Sequence, residues 1–194
     1  MLQGNEASSA SQQQTAMQIA QACKTAGFFY ITGHGVSEEL QKELEDTAHA
    51  FFARPEEEKM RLAMSKGGKA WRGYFPVEGE LTSGKPDLKE GLYFGQELPN
   101  EDPRVNAGLP LHGRNLFPDD PPGFRTVVLS YLSATEQMAH AVMRGIALSL
   151  NLPANYFYTR YTSDPLILFR IFHYPPQKNF VNQQWGVGEH TDYG

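Results

Sequence analysis

Between residues 124 and 150 apolar side chains return every three or four positions, at Phe124, Val127, Val128, Tyr131, Met138, Val142, Met143, Ile146 and Leu150. A period near 3.6 sustained that long specifies one helix of roughly seven turns. Asn151 and Pro153 end it. A rod with an apolar stripe must be covered by something. The next stretch, LILFRIFHY at residues 166–174, has the β-branched and aromatic composition of a strand, and Pro175 and Pro176 close it. The chain therefore mixes helix with sheet.

The remaining segments follow the same rules. Residues 1–14 are mostly Gln, Ser and Ala, with little to bury, and read as a tail. From Thr15, the spacing of Ala16, Ile19, Ala20 and Cys23 predicts a helix capped near Gly27. FFYITGHGV, residues 28–36, reads as a short buried strand turning at Gly33 and Gly35. Ser37 caps a second helix, with Glu38 and Glu39 in its first turn and Leu40, Leu44, Ala48, Phe51 and Phe52 on one stripe. Pro55 opens a short third one. Residues 66–122 are rich in Gly, Pro and Asn yet carry Trp71, Tyr74, Phe75, Tyr93, Phe94 and Phe117, so ordered loops and short strands are expected there. There is no internal repeat.

Composition excludes several classes of function. At 194 residues and 40% hydrophobic content, one domain with a real core is expected. A net charge of -5 with scattered Lys and Arg offers no footprint for nucleic acid. No apolar run approaches the roughly 18 residues that span a bilayer, and the N-terminus lacks the basic start and apolar stretch of a secretion signal. The single cysteine, Cys23, permits no internal disulfide and fits a reducing compartment, so a cytoplasmic location is expected.

Chemistry concentrates near the end of the sequence. In residues 166–174 alternation puts Leu166, Leu168, Arg170, Phe172 and Tyr174 on one face, and Ile167, Phe169, Ile171 and His173 on the other. A guanidinium and a phenol on an otherwise apolar face either sit at the strand's ends or line a pocket for something polar. In GVGEHTDYG, residues 186–194, His190 and Asp192 lie two apart, so on an extended backbone both point to one side. An imidazole and a carboxylate suit Fe(II). A second histidine would complete a facial triad with open positions.

The order GFFYITGHGV, AWRGYFP, LFRIFHYPP, WGVGEHTDYG resembles the isopenicillin-N-synthase-like branch of the Fe(II)- and 2-oxoglutarate-dependent dioxygenases, over nearly all of residues 15–194. The resemblance implies an α+β fold in which a helical N-terminal region packs on a double-stranded β-helix, or jelly-roll, here incomplete. It divides the chain into a tail (1–14), a mainly helical region (15–160) and the first jelly-roll strands (161–194). It implies His190 and Asp192 as iron ligands, Tyr174 as a contact of the 2-oxoglutarate carboxylate, and Fe(II), 2-oxoglutarate and O2 as the reactive set. Phe172 stands where plant members often carry Asn and is counted among the candidate substrate-binding residues. Arg170 shares the face of Tyr174 and becomes a candidate for an acidic group of the substrate, the alternative being a structural arginine. Arg72 and Tyr74 fall in a region that shapes substrate pockets in relatives, the alternative being loop packing.

The implied activity couples decarboxylation of 2-oxoglutarate to hydroxylation or desaturation of a small organic substrate. The alternatives are an oxidase of the isopenicillin-N-synthase type, which needs no 2-oxoglutarate, and a non-catalytic interaction module. The family's third ligand, a later histidine, and the Arg-x-Ser pair after it do not occur after Gly194, so a fragment, inactive by itself, is expected. An unpaired strand at residues 166–174 would then expose both edges, and poor folding or self-association through those edges is expected.

Overall fold

The computed structural model describes residues 9–176 and 185–191. Two compact units organise the chain, each from two separated stretches: residues up to Lys42 with Ser130–Pro165, and Glu43–Leu129 with the part from Leu166 on.

The first unit is helical. Helix α1 (Ser9–Thr25) starts earlier than the expected Thr15 and buries Ala16 and Ile19. The amides of Ala26 and Gly27 both return to the Ala22 carbonyl, and Gly27 takes the left-handed conformation expected of its cap. Helix α2 (Glu38–Phe52), which from Glu43 on belongs to the second unit, begins with Ser37 Oγ accepting from the Leu40 amide at 3.1 Å, as an N-cap does. Between them, residues 28–36 correct an expectation. The segment forms no strand, and Phe28 and Tyr30 are exposed. Its residues favour the extended state, but no ladder among the described residues pairs with it, and an unpaired strand has little to hold it.

Helices α3 (Glu56–Lys59) and α4 (Pro103–Asn106) are short, whereas α5 (Phe124–Ser149) is the long rod its periodicity specified. Asn151 stops it in the left-handed conformation, and the Leu152 amide reaches back to the Ala147 carbonyl at 2.9 Å.

The second unit is built on a three-stranded antiparallel sheet in the order β1 (Gly73–Phe75), β4 (Glu90–Gly95), β5 (Leu168–His173). The strands β2 (Leu81–Thr82) and β3 (Lys85–Pro86) make a separate hairpin. Six register pairs run from Glu90↔His173 to Gly95↔Leu168, so β5 is covered along one edge. This corrects the expectation of a strand bare on both sides: β4, which the sequence left inside an irregular region, supplies the partner. Register fixes two faces. Leu92, Phe94, Tyr74, Phe169 and Ile171 share one with Glu90 and His173, and there Phe51, Phe94 and Phe124 form an aromatic core of edge-on and tilted ring pairs. Arg170, Phe172, Tyr93 and Phe75 occupy the other.

Candidate functional site

That second face opens into a cleft of about 630 Å³ lined by Trp71, Glu80, Tyr93, Arg170, His190 and Thr191, with the β2–β3 hairpin along one side. Two hydrogen bonds set residues 185–191 against this wall. The Leu88 amide donates to the Trp185 carbonyl at 3.0 Å, and Ser83 Oγ donates to the Glu189 carbonyl at 3.3 Å. Arg170 reaches the cleft because it stands opposite Tyr93 in the β4–β5 register. Its Nη1 donates to Tyr93 Oη at 3.4 Å, and its guanidinium lies 5.6 Å from the Tyr93 ring centre and 5.3 Å from that of Phe172.

A polar chain continues behind it. Tyr93 Oη donates to Glu80, Lys89 Nζ bridges Glu80 at 3.2 Å and Asp87 at 2.9 Å, and Thr82 Oγ1 donates to Asp87 at 2.8 Å. Burial alone would lower the Lys89 ammonium's pKa, but the hydrogen bonds to Asp87 and Glu80 outweigh it and the net shift is upward. Burial, reinforced by the bond to Glu80, raises the Tyr93 phenol, which therefore stays a neutral donor.

His190 Nδ1 lies 2.8 Å from the Gly188 carbonyl. A carbonyl only accepts, so Nδ1 carries a proton, and Nε2 is the nitrogen whose lone pair a metal would take. This is how a metal-ligating histidine is oriented, its second nitrogen tied to the backbone. The ring thus fits the part of one ligand. Asp192 lies outside the described residues, and among the described residues no group of three or more His, Cys, Asp or Glu side chains could hold a metal.

The other sequence candidates fall elsewhere. Tyr174 is half exposed beyond the end of β5, its ring packed on the backbone of Gly186 and edge-on to Phe172. Phe172 lies behind the cleft, against Phe75 and Tyr93, with Lys89 Nζ 4.8 Å above its ring. Arg72 and Tyr74, expected as substrate contacts, are corrected by their burial: each is 1% exposed. Arg72 donates to the carbonyls of Ala70 and Leu111, both at 2.8 Å, and burial lowers its pKa against the opposing pull of Glu97. Tyr74 pairs with Leu92 and so faces the core, where it donates to Glu90 Oε2 at 2.5 Å. The loop-packing alternative describes both. Trp71, Glu80, Lys89 and Tyr93 line the cleft without having been singled out as site residues in the sequence. The sequence signals for Trp71 were its place beside Arg72 and its membership of the aromatic set in residues 66–122.

Comparison with known proteins agrees with this architecture. Residues 2–120 match the family described as non-haem dioxygenase in morphine synthesis, N-terminal. A Dictyostelium discoideum protein named a probable iron/ascorbate oxidoreductase is 48% identical over 198 residues, which cover 91% of this chain and 54% of that protein. A homoarginine-6-hydroxylase of Oryza sativa subsp. japonica is 35% identical over 186 residues, covering 93% of this chain and 56% of the relative. A full-length Neurospora crassa protein, solved in complex with alpha-KG and thymine, superposes with a TM-score of 0.78 at 26% identity, over 97% of this chain and 59% of that one. The chain spans about half the length of the curated relatives it matches. Helices and sheet that superpose on such structures are α+β with part of a jelly-roll core. Because the dioxygenase N-terminal family covers most of its length and its fold is that of solved oxygenases, this chain belongs to the 2-oxoglutarate- and Fe(II)-dependent oxygenases.

Proposed function

We propose that the protein to which these residues belong is an oxygenase that couples oxidative decarboxylation of 2-oxoglutarate to hydroxylation or desaturation of a small organic substrate. The observation that carries the reading is His190, its Nδ1 proton anchored on Gly188 and its ring at the wall of a cleft that also contains Arg170. His190 and Asp192 would hold the iron, and Tyr174 would contact the 2-oxoglutarate carboxylate. Bound Fe(II) with 2-oxoglutarate would let O2 act as the oxidant, the co-substrate giving two of the four electrons that O2 takes up and the organic substrate the other two. The chain's own residues do the rest. The Gly188 carbonyl holds the imidazole in one tautomer, the neutral Tyr93 phenol keeps Arg170 in place, and Arg170 meets an acidic group of the substrate.

The substrate is a small molecule, a reading supported by the thymine in complex with the Neurospora crassa protein. Among the described residues no helix is long and apolar enough to cross a membrane, and we place the protein in the cytoplasm on the strength of its single, exposed Cys23. The edge of β5 away from β4 has no ladder partner among the described residues, which supports self-association there.

An anaerobic titration with Fe(II) and 2-oxoglutarate, followed by the visible charge-transfer absorption of the chelate, tests the assignment. The band is expected to form and to be lost in His190→Ala and Asp192→Ala. A band of full intensity in both variants would remove these residues from the metal site. Succinate release separates this activity from that of an oxidase that takes all its electrons from its substrate.

A further inference from the structure

Trp71 is placed in a way that packing alone does not call for. It ends the short 3₁₀ turn Gly68–Ala70 with φ 54° and ψ 55°, a left-handed conformation that bulky side chains seldom adopt. The result is not a buried indole. Trp71 remains 49% exposed, lines the cleft, and lies nearly parallel to Tyr93, with ring centres 5.8 Å apart and planes 10° from coplanar. Tyr93 is itself held at its hydroxyl by Glu80 and Arg170. The indole is thus a flat wall braced from behind, beside an exposed guanidinium.

The charges of the cleft are unequally exposed. Lys89, Asp87 and Glu80 are 8%, 3% and 24% exposed and satisfy one another, with Thr82 and Tyr93 donating to the same carboxylates. They are held together as one network inside the wall. Of Lys89, Asp87, Glu80 and Arg170, the last is the exposed one, and a planar guanidinium fork matches a carboxylate.

We infer that the cleft selects a flat, conjugated ring bearing a carboxylate, its face on Trp71 and its anionic group on Arg170. The inference rests on this cleft being the substrate site proposed above and narrows the class of molecule that enters it. It needs no metal, so it can be tested separately from the iron site.

The experiment uses the full 194-residue chain without added metal and three probes: benzoate, cyclohexanecarboxylate and benzylamine. Isothermal titration is expected to give benzoate a Kd lower than that of cyclohexanecarboxylate by about fivefold, the margin that ring stacking adds to simple area burial. Benzylamine is expected to show no saturable binding. In ¹⁵N-resolved spectra benzoate is expected to shift the Trp71 indole N–H, assigned by its loss in Trp71→Phe. The preference for the flat ring is expected to persist in Trp71→Phe and vanish in Trp71→Leu. Equal affinities for the two acids in the unmodified protein would overturn the inference, as would an unshifted indole signal, and the first of these readouts does not depend on a variant folding. Failure here with the iron-dependent band intact would leave the oxygenase reading standing. Loss of the band with the ring preference retained would do the reverse.

Discussion

Replacing Lys59 by methionine would leave the Glu90 carboxylate buried with two donors where it now has three. In the structure Glu90 Oε2 accepts from Lys59 Nζ at 2.6 Å and from Tyr74 Oη at 2.5 Å, and Oε1 pairs with His173 Nδ1 at 2.7 Å. The Lys59 and Glu90 side chains are 7% and 6% exposed, so neither charge has water to fall back on. Removing one member of a buried pair costs about 3–5 kcal/mol, because the other is stranded. Tyr74 and His173 stay in place, which puts Lys59→Met at the lower end, about 3 kcal/mol. The double variant Lys59→Met, Glu90→Gln removes the stranded charge and should recover most of that loss, since an amide oxygen can still accept from Tyr74. Urea unfolding of the wild type, both single variants and the double variant measures the cycle. A Lys59→Met loss below about 1 kcal/mol, in the range of an exposed pair, would refute the reasoning. So would a double variant no more stable than the single.

Two further outcomes follow from the same sheet. Burial favours the neutral Glu90 carboxyl, but the bonds from Lys59, Tyr74 and His173 outweigh it and hold the pKa below the ordinary value. Stability from that shift is therefore complete above the unfolded carboxyl's pKa and disappears as pH falls through the lower folded value, so Glu90→Gln should flatten the acid limb of a stability–pH curve; an unchanged limb would contradict the assignment. A Cβ at Gly95 would fall on the buried guanidinium of Arg72 and on the Ile167 carbonyl, neither of which has room to retreat. Gly95→Ala should cost about 3 kcal/mol, the upper range for overpacking, and thermal unfolding of that variant checks it.

How much of this was legible beforehand can be seen residue by residue. Alternation along residues 166–174 separated Arg170 and Phe172 from Phe169 and Ile171 correctly, because a period of two is a property of the single strand. It could not say that Tyr74 belongs with Ile171 and not with Arg170. That depends on how β1, β4 and β5 are aligned, and alignment is decided between strands far apart in sequence. The caps at Ser37, Gly27 and Asn151 were readable for the opposite reason: each is completed within a few residues of itself. Residues 28–36 looked like a strand because composition reports a preference for extension, and pairing needs a partner that composition does not reveal. Trp71 was read only as one aromatic of an ordered loop, because a left-handed tryptophan has no sequence signature, whereas a glycine at that place would have had one.

The two hydrogen bonds that seat residues 185–191 against Leu88 and Ser83 make the β2–β3 hairpin a shared support. The same few residues bear Glu80, Thr82 and Asp87, which brace Tyr93 and, through it, Trp71 and Arg170. A substitution in this hairpin that widens or narrows the cleft for a new substrate must also displace His190. Descendants of this sequence could therefore change what they accept only along routes that keep the hairpin's backbone still, through side chains such as Trp71 that face the cleft without holding the wall together.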